Sequence, residues 1–166
     1  VTSLNQLTSI GGNLLIFGSF YGSYFPSITG FQNLQSVGGM LQIYYADAMT
    51  SITGMSRLRT VGGEIYIYTS LLNDLSGLSS LQTIGGLRML STRVTNFNNF
   101  ASLRTINGNL DIQGQGLLTD VTGLHGVTSI TGNVTFGYNG LTASQVNTLI
   151  QTIGTSHIGG TITNND

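Results

Sequence analysis

Pairs of glycine recur along the 166-residue chain at nearly constant intervals. The second glycine of each pair falls at positions 12, 39, 63, 86, 108, 132 and 160, where at 108 and 132 only this second glycine is present. The intervals are therefore 27, 24, 23, 22, 24 and 28 residues. A period of roughly 20–50 residues is typical of arrays of stacked supersecondary units. The sequence therefore predicts one small unit that is repeated six or seven times.

Apolar residues keep the same rhythm within each unit. Three of them, spaced three residues apart, precede each of the first six pairs, as Leu4, Leu7 and Ile10 precede Gly11-Gly12. One unit cannot bury these side chains by itself, but stacked units can, because each position then meets its equivalent in the next unit. Two buried ladders are expected, one of Leu7, Leu34, Leu58, Leu81, Leu103 and Val127, and one of Ile10, Val37, Val61, Ile84, Ile106 and Ile130.

A short alternating segment follows most pairs, as in Glu64-Ile65-Tyr66-Ile67. Alternation with a period of two predicts a strand with one face buried and one exposed. Glycine at the corner before the strand either adopts a positive φ or allows the neighbouring backbone to approach closely. The expected fold class is all-β, a right-handed parallel β-solenoid of six to seven rungs with one short helix near the C-terminus.

The whole chain, residues 1–166, is expected to form a single repeat domain. From Leu141 onward the apolar period changes to that of a helix, with Thr142 and Gln145 resembling a capping box and Gly154 as a stop. The N-terminus has no comparable cap, so either a longer protein has been trimmed or the first coil is left open. The predicted units are residues 1–30, 31–54, 55–77, 78–99, 100–123 and 124–140, a capping helix at 141–156 and a final rung at 157–166.

Two irregularities interrupt the repeat. The segment 17–26 is about three residues longer than its equivalents and holds five aromatic residues and the single proline. Loops that project from a repeat array are common binding surfaces, although these aromatic rings could equally pack against the side of the stacked repeats. In Gly85-Gly86-Leu87-Arg88 the alternation fits only if one residue is missing, which predicts a bulge there.

The pattern L-x-S/T-I/V-G-G-x-L-x-I, followed by an apolar-S/D-I-T-G corner, resembles the receptor L-domain family. Those leucine-rich-repeat-like solenoids bind ligands in the insulin and epidermal growth factor receptors and have microbial relatives. The resemblance covers nearly the whole chain and implies a ligand-binding role. Two features depart from it: the chain has no cysteine for the disulfides usual in animal members, and no asparagine follows the strand at a fixed place as in an ordinary leucine-rich repeat.

Composition excludes several classes of function. Charged residues make up 7% of the chain and the net charge is -1, so there is no basic surface for nucleic acid. No apolar run reaches the roughly 18 residues that span a bilayer. A positive mean hydropathy of +0.21 favours a folded domain. Abundant serine, threonine and asparagine, the absence of lysine and the sequon Asn133-Val134-Thr135 favour an extracellular or cell-surface location.

The predicted ligand-binding surface is an outward stripe of aromatic residues with one arginine. Tyrosine suits an interface because it offers a large contact area at little cost in side-chain entropy. The same rings could instead stabilise the sheet by cross-strand packing. The candidate residues are Phe17, Phe20, Tyr21, Tyr24, Tyr44, Tyr66, Tyr68 and Arg88.

Two further rows have alternative interpretations. The hydroxyl row Ser9, Ser36, Thr60, Thr83, Thr105 and Ser129 could bond backbone or bind an ordered surface such as ice. The corner row Ser27, Ser51, Asp74, Asn96 and Asp120 suits Asx-type turns better than calcium, which needs six or more oxygens.

Catalysis is not expected, although the chain contains His125, Asp120 and many serines. A catalytic triad needs groups that converge in a pocket, and a filled solenoid offers none. No cofactor or metal is expected. The predicted function is a non-enzymatic binding or adhesion module for a protein or glycan. The alternatives are a structural unit that stacks end to end and, third, an ice-binding protein.

Overall fold

The computed structural model describes residues 2–18, 26–68 and 71–166. Short strands dominate this part of the chain, and short 3-10 turns at Ser76–Leu78, Asn98–Phe100 and Thr122–Leu124 accompany them. The strands are β1 (Ser9–Ile10), β2 (Leu14–Phe17), β3 (Ser27–Ile28), β4 (Ser36–Val37), β5 (Leu41–Tyr44), β6 (Ser51–Ile52), β7 (Thr60–Tyr68), β8 (Thr83–Leu90), β9 (Thr105–Ile106), β10 (Leu110–Gln113), β11 (Ser129–Ile130), β12 (Val134–Gly137) and β13 (Ile162–Asn165).

Every strand pairs in parallel with the equivalent strand of a neighbouring repeat. An 11-stranded sheet contains all strands except β3 and β6, which form a two-stranded sheet. Along its longer strands the order is β2, β5, β7, β8, β10, β12 and β13. The partners lie one sequence period apart: Leu14 with Leu41, Leu41 with Ile65, Ile65 with Leu87, Leu87 with Leu110, Leu110 with Val134, and Val134 with Ile162. The expectation of a mostly β chain with parallel strands and one helix is confirmed.

The apolar ladders form the core, with one exception at the first repeat. Leu34, Leu58 and Leu81 are completely buried, as the repeat predicts. Leu7, predicted to begin this ladder, is 37% exposed, and Ile10 is only half-buried. The prediction of burial is wrong for Leu7 because a ladder position is covered from both sides, and no described repeat lies beyond it.

The glycine pairs are explained by close packing between repeats. A Cβ built on Gly63 would lie 2.9 Å from the carbonyl carbon of Gly39 and 2.9 Å from the backbone nitrogen of Met40. Positive φ is not the reason, because among the described glycines only Gly114 and Gly154 adopt it. Of the two explanations that the sequence allowed, close backbone approach is the correct one.

The predicted irregularity at Gly85-Gly86 is confirmed. Between β7 and β8 the pairing passes from Val61 with Ile84 to Glu64 with Gly86, so two residues of β7 face one of β8. Beyond this bulge the regular register returns, which places Arg88 beside Tyr66.

One α-helix, α1 (Ala143–Ile153), follows the sixth repeat. Thr142 and Gln145 form the predicted capping box, and Gly154 ends the helix with a φ of 85°. Val146, Leu149, Ile150 and Ile153 are all buried, as the helical period predicts, so α1 closes this side of the core. β13 then pairs with β12 as the predicted final strand.

A polar ladder that sequence reasoning missed runs beside the ends of β8, β10 and β12. The backbone N–H of Thr92 donates to Oε1 of the fully buried Gln115 (3.0 Å), whose own N–H donates to Oδ1 of Asn139 (3.1 Å). The N–H of Asn139 donates in turn to the carboxylate of Asp166 (2.7 Å). The four residue types differ, so no single-letter repeat reveals this ladder.

Candidate functional site

Five of the eight predicted binding residues lie together on the outer face of the large sheet. The pairing of β2, β5 and β7 places Phe17 beside Tyr44 and Tyr44 beside Tyr68. Two residues earlier in the strands, Tyr66 lies beside Arg88. We call these five residues the aromatic face. Phe20, Tyr21 and Tyr24 lie outside the described residues.

The rings of the aromatic face pack against one another rather than lying flat. Phe17 and Tyr44 stack with centroids 5.6 Å apart and an interplanar angle of 16°. Tyr44 and Tyr66 are 6.5 Å apart at 32°. Phe17 is 60% exposed and Tyr68 36%, while Tyr44 and Tyr66 are half-buried. Phe17 and Tyr44 thus cover one face of each other, and the aromatic face remains partly open to solvent.

Arg88 closes the aromatic face on the side of the later repeats. Its guanidinium lies 5.8 Å from the centroid of the Tyr66 ring, within the range of a cation–π contact. Its Nε also lies 3.1 Å from a carboxylate oxygen of Asp111 on the next strand. Burial raises the pKa of the Tyr66 hydroxyl and the positive charge of Arg88 partly offsets this, so the phenol remains a hydrogen-bond donor at neutral pH.

Tyr45 belongs to the same surface and was missed by the sequence interpretation. It follows β5 with a φ of 53°, and its ring packs edge-on against Tyr44 (5.3 Å) and Tyr68 (5.6 Å). Strict alternation assigns a residue after Tyr44 to the inner face. The left-handed turn instead brings Tyr45 outward, where it is 40% exposed. Ser91 and Tyr138 take the same conformation after β8 and β12.

Three of the five residues of the corner row have the predicted turn-forming role, whereas Ser27 and Ser51 lie in the paired strands β3 and β6. Asp74, Asn96 and Asp120 each accept a hydrogen bond from the backbone N–H two residues later, at 2.8, 3.1 and 2.8 Å. Hydrogen bonds from Thr122 lower the pKa of the Asp120 carboxyl. Among the described residues no three histidine, cysteine or acidic side chains form a group that could hold a metal ion.

A small groove of about 160 Å³ separates the corner of the fifth repeat from α1. Asp120, His125 and Ser144 line it, so a carboxylate, an imidazole and a hydroxyl share one surface. The hydrogen bonds of the described residues include none that joins His125 to a hydroxyl, and both His125 and Ser144 are exposed.

The six residues of the hydroxyl row occur at equivalent positions of successive strands. Pairing joins Ser9 to Ser36, Ser36 to Thr60, Thr60 to Thr83, Thr83 to Thr105 and Thr105 to Ser129. The residues that directly precede the hydroxyl row in sequence form a second row, which includes Arg104 and Thr128. The Thr128 hydroxyl donates a hydrogen bond to the Arg104 backbone carbonyl (3.1 Å). The hydroxyl row is thus regular, but long polar side chains such as Arg104 stand beside it.

Comparison of the chain with protein-family models, with curated proteins and with solved structures finds no match in any of the three. Within the described ranges, none of the helices is long and apolar enough to cross a membrane.

Proposed function

We propose that the chain is a right-handed parallel β-solenoid of six to seven rungs, similar to receptor L-domains, that acts as a non-enzymatic binding module on a cell surface or outside the cell. The pairing of every strand with its equivalent one period later supports the solenoid. The composition supports the location, since lysine is absent and charged residues make up 7% of the chain.

The observation that carries the binding role is the aromatic face together with Tyr45, which joins its rings. Phe17, Tyr44, Tyr45 and Tyr68 belong to three successive repeats and touch one another while staying partly exposed. Packing holds their rotamers in place before any ligand arrives, so binding costs little side-chain entropy. Aromatic residues and arginine are also the types most enriched at the energetic centres of interfaces.

The ring geometry favours a protein ligand over a glycan. A sugar stacks on the flat face of an aromatic ring, and here Phe17 and Tyr44 already cover one face of each other at 16°. One face of the Tyr66 ring is occupied by the guanidinium of Arg88. Ring edges, phenol hydroxyls and one partly paired arginine remain, and these groups suit peptide carbonyls and apolar side chains.

The proposal can be tested by selecting binders from a displayed library of random peptides and titrating the enriched peptides against variants. Tyr44→Ala combined with Tyr66→Ala should weaken binding at least about 30-fold, the usual loss at an interface centre. Tyr138→Ala is the matched control, because Tyr138 is 77% exposed but lies in the sixth repeat. Peptides that bind both variants equally, or binding confined to a glycan array, would contradict the proposal.

A further inference from the structure

The two ends of the large sheet differ in what they expose. In the described part of the chain β1 and β2 have no strand on their outer side, and β13 has none beyond it. At the first end Leu4, Ile10, Leu14 and Ile16 are only partly buried against the core. At the other end Ile162 is 40% exposed although its equivalents Val134 and Leu110 are buried.

The strands at the two edges, β1 and β2 at one and β13 at the other, lack the usual protection of an edge strand. Natural sheets keep edges from pairing with other chains by placing charged residues or proline there. Residues 1–46 contain no aspartate, glutamate, lysine or arginine, and after Asp120 the chain has one such residue, Asp166. The charges are thus confined almost entirely to the middle repeats, and the edge strands β1, β2 and β13 contain neither a charged residue nor proline, although Asp166 directly follows β13.

Among the described residues nothing gives the first glycine pair a steric reason. A Cβ built on Gly38, Gly62, Gly85 or Gly159 would overlap a carbonyl of the preceding repeat, and one on Gly39, Gly63 or Gly160 would lie 2.8–2.9 Å from its backbone carbon. At Gly11 and Gly12 no described atom lies within 4 Å of such a Cβ. The notch that these two glycines leave has the shape that a further repeat fills elsewhere in the molecule.

We infer that a second copy of the chain fills this notch, its β13 pairing in parallel with β2 so that the sheet continues from one molecule to the next. Internal junctions give the register. Gly38 N–H donates to the Ile10 carbonyl (2.7 Å), Gly160 N–H to the Gly132 carbonyl (3.0 Å) and Val134 N–H to the Thr161 carbonyl (2.9 Å). By equivalence Gly11 donates to Ile158 and Gly12 to Gly160 of the neighbouring copy, whose Ile162 donates to Asn13.

Side chains match in the same register. The pairing of Val134 with Ile162 and of Leu14 with Leu41 makes Leu14 the position that follows Ile162 in the inner ladder. Docking would cover Ile162 with Leu14, two apolar side chains that are now partly exposed. This contact joins two different surfaces without closing a ring, so it generates open filaments with a rise of roughly 30–35 Å per molecule at about 4.8 Å per strand. It is independent of the ligand proposed for the aromatic face.

The test is the mass of the purified chain against concentration, from about 1 to 500 µM, by sedimentation velocity and light scattering. The wild type should grow from 17.5 kDa to multiples of that mass. Gly12→Val places a branched side chain in the notch, and Ile162→Arg places a charge on the opposite end. Gly116→Val is the matched control, because a Cβ on Gly116 also meets nothing within 4 Å.

Both end variants should remain monomeric, and circular dichroism should show that they are folded. Mixed together they should form 1:1 dimers, because each retains the end that the other has lost. Growth of the control variant should equal that of the wild type. A wild type that stays monomeric at every concentration would overturn the inference. So would association that Gly12→Val abolishes and Ile162→Arg leaves intact, since that result means that two N-terminal ends meet.

Discussion

Alanine at two equivalent glycines should have opposite effects on stability. Gly63 and Gly12 are both second members of their pairs, and neither has a positive φ. A Cβ at Gly63 would lie 2.9 Å from three atoms, two of which are backbone atoms of Gly39 and Met40. A Cβ at Gly12 would meet no described atom within 4 Å. The two variants thus compare the same position with and without a described preceding repeat.

The expected magnitudes follow from these contacts. Ordinary van der Waals contact of a Cβ begins at 3.4 Å, so Gly63→Ala must separate two repeats by about half an ångström, and overpacking of this kind costs about 1–3 kcal/mol. A loss of 2 kcal/mol corresponds to a Tm lower by about 4–8 °C in a domain of this size. Gly12→Ala should instead stabilise by about 0.5 kcal/mol, because it restricts the unfolded chain without a clash.

Urea denaturation followed by circular dichroism measures both effects, at a protein concentration at which the wild type is monomeric. The slope of the free energy of unfolding with urea should be unchanged in both variants, so that the shifts in midpoint report stability. Equal midpoints for Gly63→Ala and Gly12→Ala would refute the explanation of the glycine pairs by close approach between repeats.

Three further predictions concern polar contacts. The pKa of the Asp120 carboxyl is lowered, so its hydrogen bonds with Thr122 stabilise the fold above the ordinary carboxyl pKa of 3.8. This stabilisation is lost as the pH falls through the lower pKa of the folded state. In thermal melts from pH 7 to 2, the Tm of Asp120→Asn should therefore fall less on acidification than the Tm of the wild type. Gln115→Ala leaves the buried N–H of Thr92 without its acceptor and should cost about 2 kcal/mol in urea denaturation, whereas an unchanged midpoint would show that water replaces the side chain. Thr142→Ala removes the cap of α1 and should cost about 1 kcal/mol, and no loss relative to the exposed control Thr152→Ala would contradict the capping box.

The parallel pairing of the strands could be predicted from the sequence because the spacing of the repeat shows which residues are equivalent. A constant period places Leu41 beside Ile65 whatever the turns between them do, and the missing residue at Gly85-Gly86 appears as a shortened interval. The helix α1 could be predicted for the same reason, since its change of period and its capping box are local signals.

The sequence was insufficient where a property depends on the place of a repeat in the stack. Leu7 occupies the same position in its repeat as Leu34, yet it is exposed because no described repeat lies on its outer side. Tyr45 lies outward because a left-handed turn breaks the alternation after β5. Gln115 and Asn139 share a position after their strands but not a residue type, so their ladder is visible only in three dimensions.

The same reasoning explains why the aromatic face is confined to the early repeats. In the stack each outward side chain has a neighbour above and below, so a ring gains most where its neighbours are rings. Phe17, Tyr44 and Tyr68 satisfy this condition, whereas Leu90 and Gln113 follow them at the same position. Arg88 ends the cluster by covering Tyr66 on one side and binding Asp111 on the other. Stability alone does not require the row of aromatic rings to end at Tyr68, because a tyrosine at position 90 or 113 would extend the stacking. The change from rings to an ion pair therefore gives the sheet one apolar and one charged region side by side.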